Sequence, residues 1–172
     1  MPITYSALHS VTLTSAQATI QLTSIPPIYS DLILRVSTRY STATAWHFVR
    51  VWPNAFPSGS DTQSVQLFAP SDIAALSQGA SVGWTGATTI GNLTGTANSW
   101  STMEMHIAGY ATTPSAGLVL AHLPNNGAVA WVTTAAVYDN RTGSISEITI
   151  QGVNSDLLAA GTTVHLYGLR NA

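Results

Sequence analysis

The stretch SISEITIQGVNSDLLAAGTTVHLYGL, residues 144–169, decides the fold of this chain. Its last part alternates the apolar Val164 and Leu166 with His165 and Tyr167, which is the period of a pleated strand. Alternate side chains of a strand point to opposite faces of its sheet. The pattern therefore predicts that Val164 and Leu166 are buried between two sheets, while His165 faces away from them.

The same stretch begins with a second strand pattern, ITI at residues 148–150, followed by a segment rich in the turn-forming residues Gly, Asn and Asp. We predict that these two strands form a final hairpin. A near copy of the pattern, VTL, stands at residues 11–13. This repetition predicts that the two ends of the chain lie in one sheet and close a β-sandwich.

Similar alternations, separated by turn residues, recur along the rest of the chain. Residues 8–13 and 18–22 predict a hairpin, and PNNG at 124–127 predicts a turn between two further strands. Residues 71–76 suit one capped helical turn, but no sustained helical period occurs. The count is about nine or ten strands, which predicts an all-β fold, an antiparallel β-sandwich of jelly-roll type.

The length of 172 residues is typical of one domain. We expect residues 1–172 to form a single β-sandwich domain with a Gly/Thr-rich excursion near residues 79–98. Low-complexity disorder is the alternative for that excursion. Its apolar residues Trp84, Ile90 and Leu93 favour docking against the body of the domain.

The chain is unusually poor in charge. Only 7% of its residues are charged, against about 25% in an average soluble domain, and it contains no Lys. The Arg residues form no basic stripe, which argues against nucleic-acid binding. Such a surface suits coverage by other subunits, so we predict a homo-oligomer, a homotrimer; the alternative is a monomer coated with Thr and Ser.

No Cys is present, so neither disulfides nor thiolate metal sites are expected. The start, MPITYSALHS, lacks the basic and apolar regions of a signal peptide. No run approaches the ~18 apolar residues of a membrane span. We expect a chain that is made and assembled in a cytosol and has no membrane partner.

No catalytic motif stands out. The five His lie at positions 9, 47, 106, 122 and 165, too far apart for a local metal motif, and the seven acidic residues are all separated. The letters GASVG at residues 79–83 fit the nucleophile-elbow pattern around Ser81, but that elbow stands between a strand and a helix, and no helical period follows here. We therefore expect no enzyme, no cofactor and no metal site. A pair of carboxylates that meet in the fold, as in glycosidases, stays open as the alternative.

Large aromatic residues are the candidate contact groups. Trp84 stands between Gly83 and Gly86 and is the first candidate for exposure, and Trp52 and Phe56 lie beside a turn-rich loop. Exposed aromatic rings can stack on sugars, whereas buried ones serve packing. The other two Trp residues considered, at positions 100 and 131, accompany strand patterns and are expected to be buried.

Two segments carry a resemblance to a known family. The tail GTTVHLYGL is similar to the closing strand of small β-rich virion proteins of tailed bacteriophages, and residues 7–40 resemble the start of such proteins, with a strand pair, a Pro-containing loop and the sequence DLILR. The resemblance covers residues 7–40 and 144–169 and leaves the middle unmatched. Its motifs are structural.

What the resemblance implies is a structural role in the virion. It suggests a capsid decoration, or cement, protein that binds the major capsid protein or other virion proteins on the outer capsid surface. The alternative is a receptor- or carbohydrate-binding module of a head or tail fibre. The family brings no cofactor and no active-site residues.

Overall fold

A computed structural model describes residues 3–41, 48–54, 62–69, 77–82, 87–89, 100–112, 115–122, 132–139, 143–152 and 157–171. In these ranges every regular element is a β-strand. The strands are β1 (Ile3–Thr12), β2 (Thr19–Leu22), β3 (Asp31–Thr38), β4 (Phe48–Pro53), β5 (Thr62–Ala69), β6 (Ser77–Val82), β7 (Ala87–Thr89), β8 (Ser101–Ala108), β9 (Ser115–His122), β10 (Val132–Asp139), β11 (Ile148–Gly152) and β12 (Thr163–Asn171).

The strands form two antiparallel sheets. The larger has eight strands in the order β1-β12-β3-β8-β9-β10-β5-β6, and the smaller has four in the order β2-β11-β4-β7. All of the pairings are antiparallel. The predicted all-β, antiparallel class is thus confirmed for the part of the chain that the structure describes.

The two ends of the chain lie side by side, as predicted. β1 pairs with β12, and Val11 lies opposite Val164. The ITI segment, which resembles residues 11–13 in pattern, belongs to β11 and lies in the other sheet. β11 pairs with β2 on one side and with β4 on the other.

Both terminal hairpins predicted from the sequence are wrong. β1 and β2 lie in different sheets, and so do β11 and β12. The links between them carry the chain from one sheet to the other. Because strands on both sheets direct their apolar residues into one shared core, their alternation is the same as that of a hairpin. Local pattern therefore does not distinguish the two arrangements.

The middle hairpin is confirmed, since β9 and β10 pair with Val132 opposite His122. The turn predicted at 124–127 and the helical turn predicted at 71–76 lie outside the described residues. In the excursion predicted near 79–98, β6 pairs with β5 and β7 pairs with β4, so these parts extend the two sheets. The single-domain organisation stays a prediction.

One hydrophobic cluster receives side chains from both sheets. The larger sheet contributes alternate residues of β3, β8 and β12, and the smaller contributes residues of β2, β4 and β11. Val164 and Leu166 are fully buried in it, as predicted. The fully buried aliphatic partners include Leu22, Leu32, Leu34, Ile148 and Ile150.

Two tyrosines close one end of this core. Tyr29 packs against Gly168 of β12 so closely that a methyl group on Gly168 would lie 2.5 Å from the Tyr29 ring. The guanidinium carbon of Arg170 lies 5.2 Å from the centre of the same ring. The buried Tyr110 hydroxyl donates to the carbonyl of Pro26 and accepts from the Tyr29 amide at 3.3 Å. The loop before β3 is thereby fixed over the ends of β8 and β12.

Candidate functional site

The aromatic residues proposed from the sequence as contact groups are only partly located. Trp84 and Phe56 lie outside the described residues. The backbone of Trp52 lies in β4 opposite Thr149, and its side chain is outside the description. None of the three can therefore be assigned to a site from the structure.

Trp100 is half-buried rather than buried. Its ring lies against Gly161, where an added Cβ would come within 2.9 Å of the indole, and Gly161 has a φ of 87° that favours glycine. The guanidinium carbon of Arg39 lies 5.3 Å from the centre of the indole. The Trp100 ring thus contacts Gly161 and Arg39 and keeps part of its surface in solvent. Trp131, also expected to be buried, is outside the described residues.

The most developed surface lies on the side of β1, β12, β3 and β8 that faces away from the core. We call it the polar face and define it by the side chains that the register and burial place there: Tyr5, Ser10, Asp31, Arg35, Glu104, His106, His165 and Tyr167. Residues between these positions on the strands, such as Leu34 and Leu166, are fully buried. The polar face is thus the reverse side of the core strands.

A continuous row of four side chains crosses the polar face. Strand register places Ser10 opposite His165, His165 opposite Arg35, and Arg35 opposite Glu104. The Ser10 Oγ lies 3.1 Å from the His165 Nδ1, and the Arg35 Nε donates to the Glu104 Oε2 at 2.6 Å. Four strands that are remote in sequence therefore bring hydroxyl, imidazole, guanidinium and carboxylate groups into one line.

Aromatic rings border this row. Tyr5 is 58% exposed, and its ring meets that of Tyr167 edge to face, with the centres 6.4 Å apart. The guanidinium carbon of Arg35 lies 5.8 Å from the centre of the Tyr167 ring, within the range of a cation–π contact. The His165 ring lies 6.4 Å from Tyr167 on the same strand. Rigid rings and hydrogen-bonding groups are thus interleaved on one surface.

Asp31 anchors the far corner of the polar face. Its Oδ1 accepts a 3.0 Å bond from the Gly109 amide, and its Oδ2 lies 3.2 Å from the His106 Nε2. The first bond holds the turn that follows β8 against the start of β3. Asp31 therefore serves the local structure as well as the surface.

One pair of opposite charges, Arg35 and Glu104, lies at the centre of the row on the polar face. Hydrogen bonding to Glu104, followed by its charge, raises the pKa of Arg35 above its usual value, so this guanidinium stays charged. More than half of the Arg35 side-chain surface is exposed, so solvent screens the pair. Arg35 and Glu104 thus present directional hydrogen-bonding groups with little net charge.

The Ser10–His165 pair contains a hydroxyl and an imidazole, as a nucleophilic triad does. A nucleophilic triad on Ser10 and His165 would need a carboxylate on the second imidazole nitrogen. Glu104 is two strands away from His165 and is held by Arg35.

Within the described ranges, no three His, Cys, Asp or Glu side chains gather as a metal-binding group. No helix of the described chain is long and apolar enough to cross a membrane.

Comparisons with known proteins returned nothing: no family model, no curated protein and no solved structure matches the chain.

The sequence did contain one signal of the polar face. His165 alternates with apolar residues on the predicted final strand, and the structure places it on this face. The sequence did not predict which side chains would lie beside His165, because the partners in the row are far apart in the chain. Ser10 and His165 are separated by 155 positions, and Arg35 and Glu104 by 69.

Proposed function

We propose that this chain is a structural protein of a tailed-bacteriophage virion that decorates the outer surface of the capsid. The polar face is the observation that supports this role. It is broad, spans four strands and combines exposed aromatic rings with hydrogen-bonding groups of little net charge. Such a surface suits extended contact with a protein lattice more than the capture of a charged ligand.

The proposal includes an antiparallel β-sandwich of jelly-roll type. Its support is the hydrophobic cluster, among the residues with described side chains, to which both sheets contribute. In a sandwich, one face of each sheet is used for the core and the other remains available for contacts. The polar face would then be the outward side of the larger sheet.

Decoration would act by mass action. A protein that binds the assembled shell, but not free coat subunits, shifts the equilibrium toward the shell. Each contact can be weak, because many copies act on one lattice. In this proposal the partner is the major capsid protein or another virion protein, the location is the virion, and the chain binds without catalysis.

The predicted homotrimer belongs to the same proposal. Subunits that pack side by side would cover part of the charge-poor surface, with an interface above ~1,000 Å². Sedimentation measures this directly, and a monomer at micromolar concentration would contradict subunit association.

The decoration proposal is tested on particles that lack this protein. We expect such particles to lose resistance to heat or osmotic shock and to recover it when the purified protein is added back. Tyr5→Ala should lower uptake by the particles, because Tyr5 is the most exposed ring of the polar face. Ile28→Ala is the matched control, since Ile28 is 56% exposed and lies in the loop before β3.

Two outcomes would contradict the proposal. Particles that are equally robust without the protein and take up none of it would exclude decoration and favour a head or tail appendage. Equal effects of Tyr5→Ala and Ile28→Ala would exclude the polar face as the contact surface.

Receptor or carbohydrate binding is the second candidate. It is favoured by the aromatic edge formed by Tyr5 and Tyr167 beside the Arg35–Glu104 pair, because sugars are bound by aromatic stacking together with directional hydrogen bonds. A glycan array would show binding that Tyr5→Ala abolishes. An array without a positive glycan would exclude this candidate for the sugars tested.

A further inference from the structure

Both sheets end on the same side of the molecule. β1 is the terminal strand of the larger sheet and β2 is the terminal strand of the smaller sheet in the described residues. A cleft of about 430 Å³ lies between them and is lined by Thr12, Thr14, Gln17, Thr19 and Gln21 with apolar residues between. The two open edges are therefore neighbours in space.

Backbone groups point out of these edges. The Leu13 amide donates to Thr162 at 2.9 Å, and the Leu13 carbonyl accepts from Gly161 at 2.7 Å. In a trans peptide unit the carbonyl and the following amide point in opposite directions. The Thr12 carbonyl and the Thr14 amide therefore point away from β12, toward the open side.

The same geometry holds on β2. The Ala18 carbonyl accepts from the Gly152 amide at 3.0 Å, which directs it toward β11. The Thr19 amide, in the same peptide unit, consequently points away from β11 and toward the open edge. Each edge thus offers backbone donors or acceptors for a further strand.

These edges carry none of the charges that commonly prevent strand addition. The sequence contains no Asp, Glu, Lys or Arg before Asp31, and β1 lacks Pro. Edge strands are usually guarded by Lys, Pro or inward-pointing charges. In β1 the register shift between Ala7 and His9 is an irregularity, but it leaves a regular stretch from His9 to Thr12.

We propose that a second copy of this chain pairs with the β1 and β2 edges across a two-fold axis, so that both sheets continue into the partner. A foreign extended segment would occupy one edge, whereas a two-fold copy presents the same two edges and satisfies both together. The hydroxyl and carboxamide groups of the cleft can both donate and accept hydrogen bonds, so they are complementary to themselves. This inference does not rest on the virion role.

A two-fold contact requires an even number of subunits. Two copies would form a dimer, and pairing of the predicted trimers would form a hexamer. A trimer alone would use other surfaces and would contradict the inference. The mass of the full chain in solution therefore distinguishes the possibilities.

The test uses sedimentation of the wild-type chain and of two variants. Thr12→Lys combined with Gln21→Lys places like charges against each other across the proposed axis and should halve the mass. Thr102→Lys is the matched control: Thr102 is exposed and lies in the same cross-strand row as Thr12, but on the interior strand β8. It should keep the wild-type mass.

Hydrogen exchange provides a readout that is independent of variant folding. In the wild-type chain, the amides of Thr14 and Thr19 should be protected at high protein concentration and exchange faster on dilution. A wild-type monomer or trimer, or an edge variant that retains the full mass, would overturn the inference. Protection that arises only on capsid particles would identify a capsid segment as the occupant and would also overturn it.

Discussion

The two faces of β1, β12, β3 and β8 differ in how strongly packing constrains their residues. On the core side of β12, Val164 and Leu166 are fully buried, whereas on the polar face His165 and Tyr167 remain partly in solvent. Burial fixes the identity of the core residues because each change of volume is felt by packed neighbours. Most side chains of the polar face are partly in solvent, so a change of volume there is felt by fewer packed neighbours.

The largest expected effect lies on the core side. Leu166→Ala should lower the free energy of unfolding by about 2–5 kcal/mol, through lost burial and the cavity left behind. His165→Ala, on the opposite face of the same strand, should change it by less than about 1 kcal/mol. Chemical denaturation measures both. A loss below ~1 kcal/mol for Leu166→Ala would mean that the assignment of the faces is wrong.

Gly168 tests the contact that closes the core. Gly168→Ala should destabilise the fold by about 1–3 kcal/mol, because the new methyl group overlaps the Tyr29 ring. The effect should shrink when Tyr29→Ala removes the ring, which a double-mutant cycle of unfolding free energies measures. Equal costs in the two backgrounds would mean that Tyr29 is not the obstacle.

Tyr110 adds a pH dependence to the same end of the core. Burial raises its pKa above the usual 10.0, so the folded state holds the phenolic proton more tightly than the unfolded state. This contribution is fully present below pH 10 and is lost as the pH rises through the pKa of the folded state. Tyr110→Phe should cost about 1 kcal/mol at neutral pH through its lost hydrogen bonds.

The measurement is unfolding by denaturant at a series of alkaline pH values. Tyr110→Phe should flatten the decline in stability above pH 10. An identical decline in Tyr110→Phe and the wild-type protein would contradict the assignment.

The smallest effect is expected at the ion pair of the polar face. Arg35→Gln or Glu104→Gln should change the free energy of unfolding by less than about 1 kcal/mol, because exposed pairs are screened by solvent. The coupling energy from a double-mutant cycle should decrease further at high salt. The polar face would contribute to the fold if the coupling energy were well above about 1 kcal/mol and did not change with salt. That result would weaken the contrast between the two faces.

Much of the strand pattern was predictable from the sequence. Alternation identified the buried positions Val164 and Leu166 of β12, because a half-buried strand repeats every two residues. The pairing of strands was less accessible. The two wrong hairpins share one cause: neighbouring strands that cross between sheets bury the same positions as strands that pair.

The polar face was predictable only as separate outward positions. Alternation placed His165 outside, but its contact with Ser10 depends on the pairing of β1 with β12. Likewise, Gly168 is visible in the sequence, whereas the Tyr29 ring that packs on it lies in the loop before β3, far away in the chain. Such contacts follow from topology, which a local pattern does not specify.

The adjacency of β1 and β12 has a consequence for synthesis. β1 is the first of the described strands to be synthesised and pairs with β12, the last of them, and the contact of Ser10 with His165 spans 155 positions. Likewise, β2 has no β11 to pair with until residues 148–152 have been synthesised. β1 and β2 therefore lack these partner strands while the strands between β2 and β11 are synthesised, so both pairings form late, with the slow kinetics of long-range strand pairing.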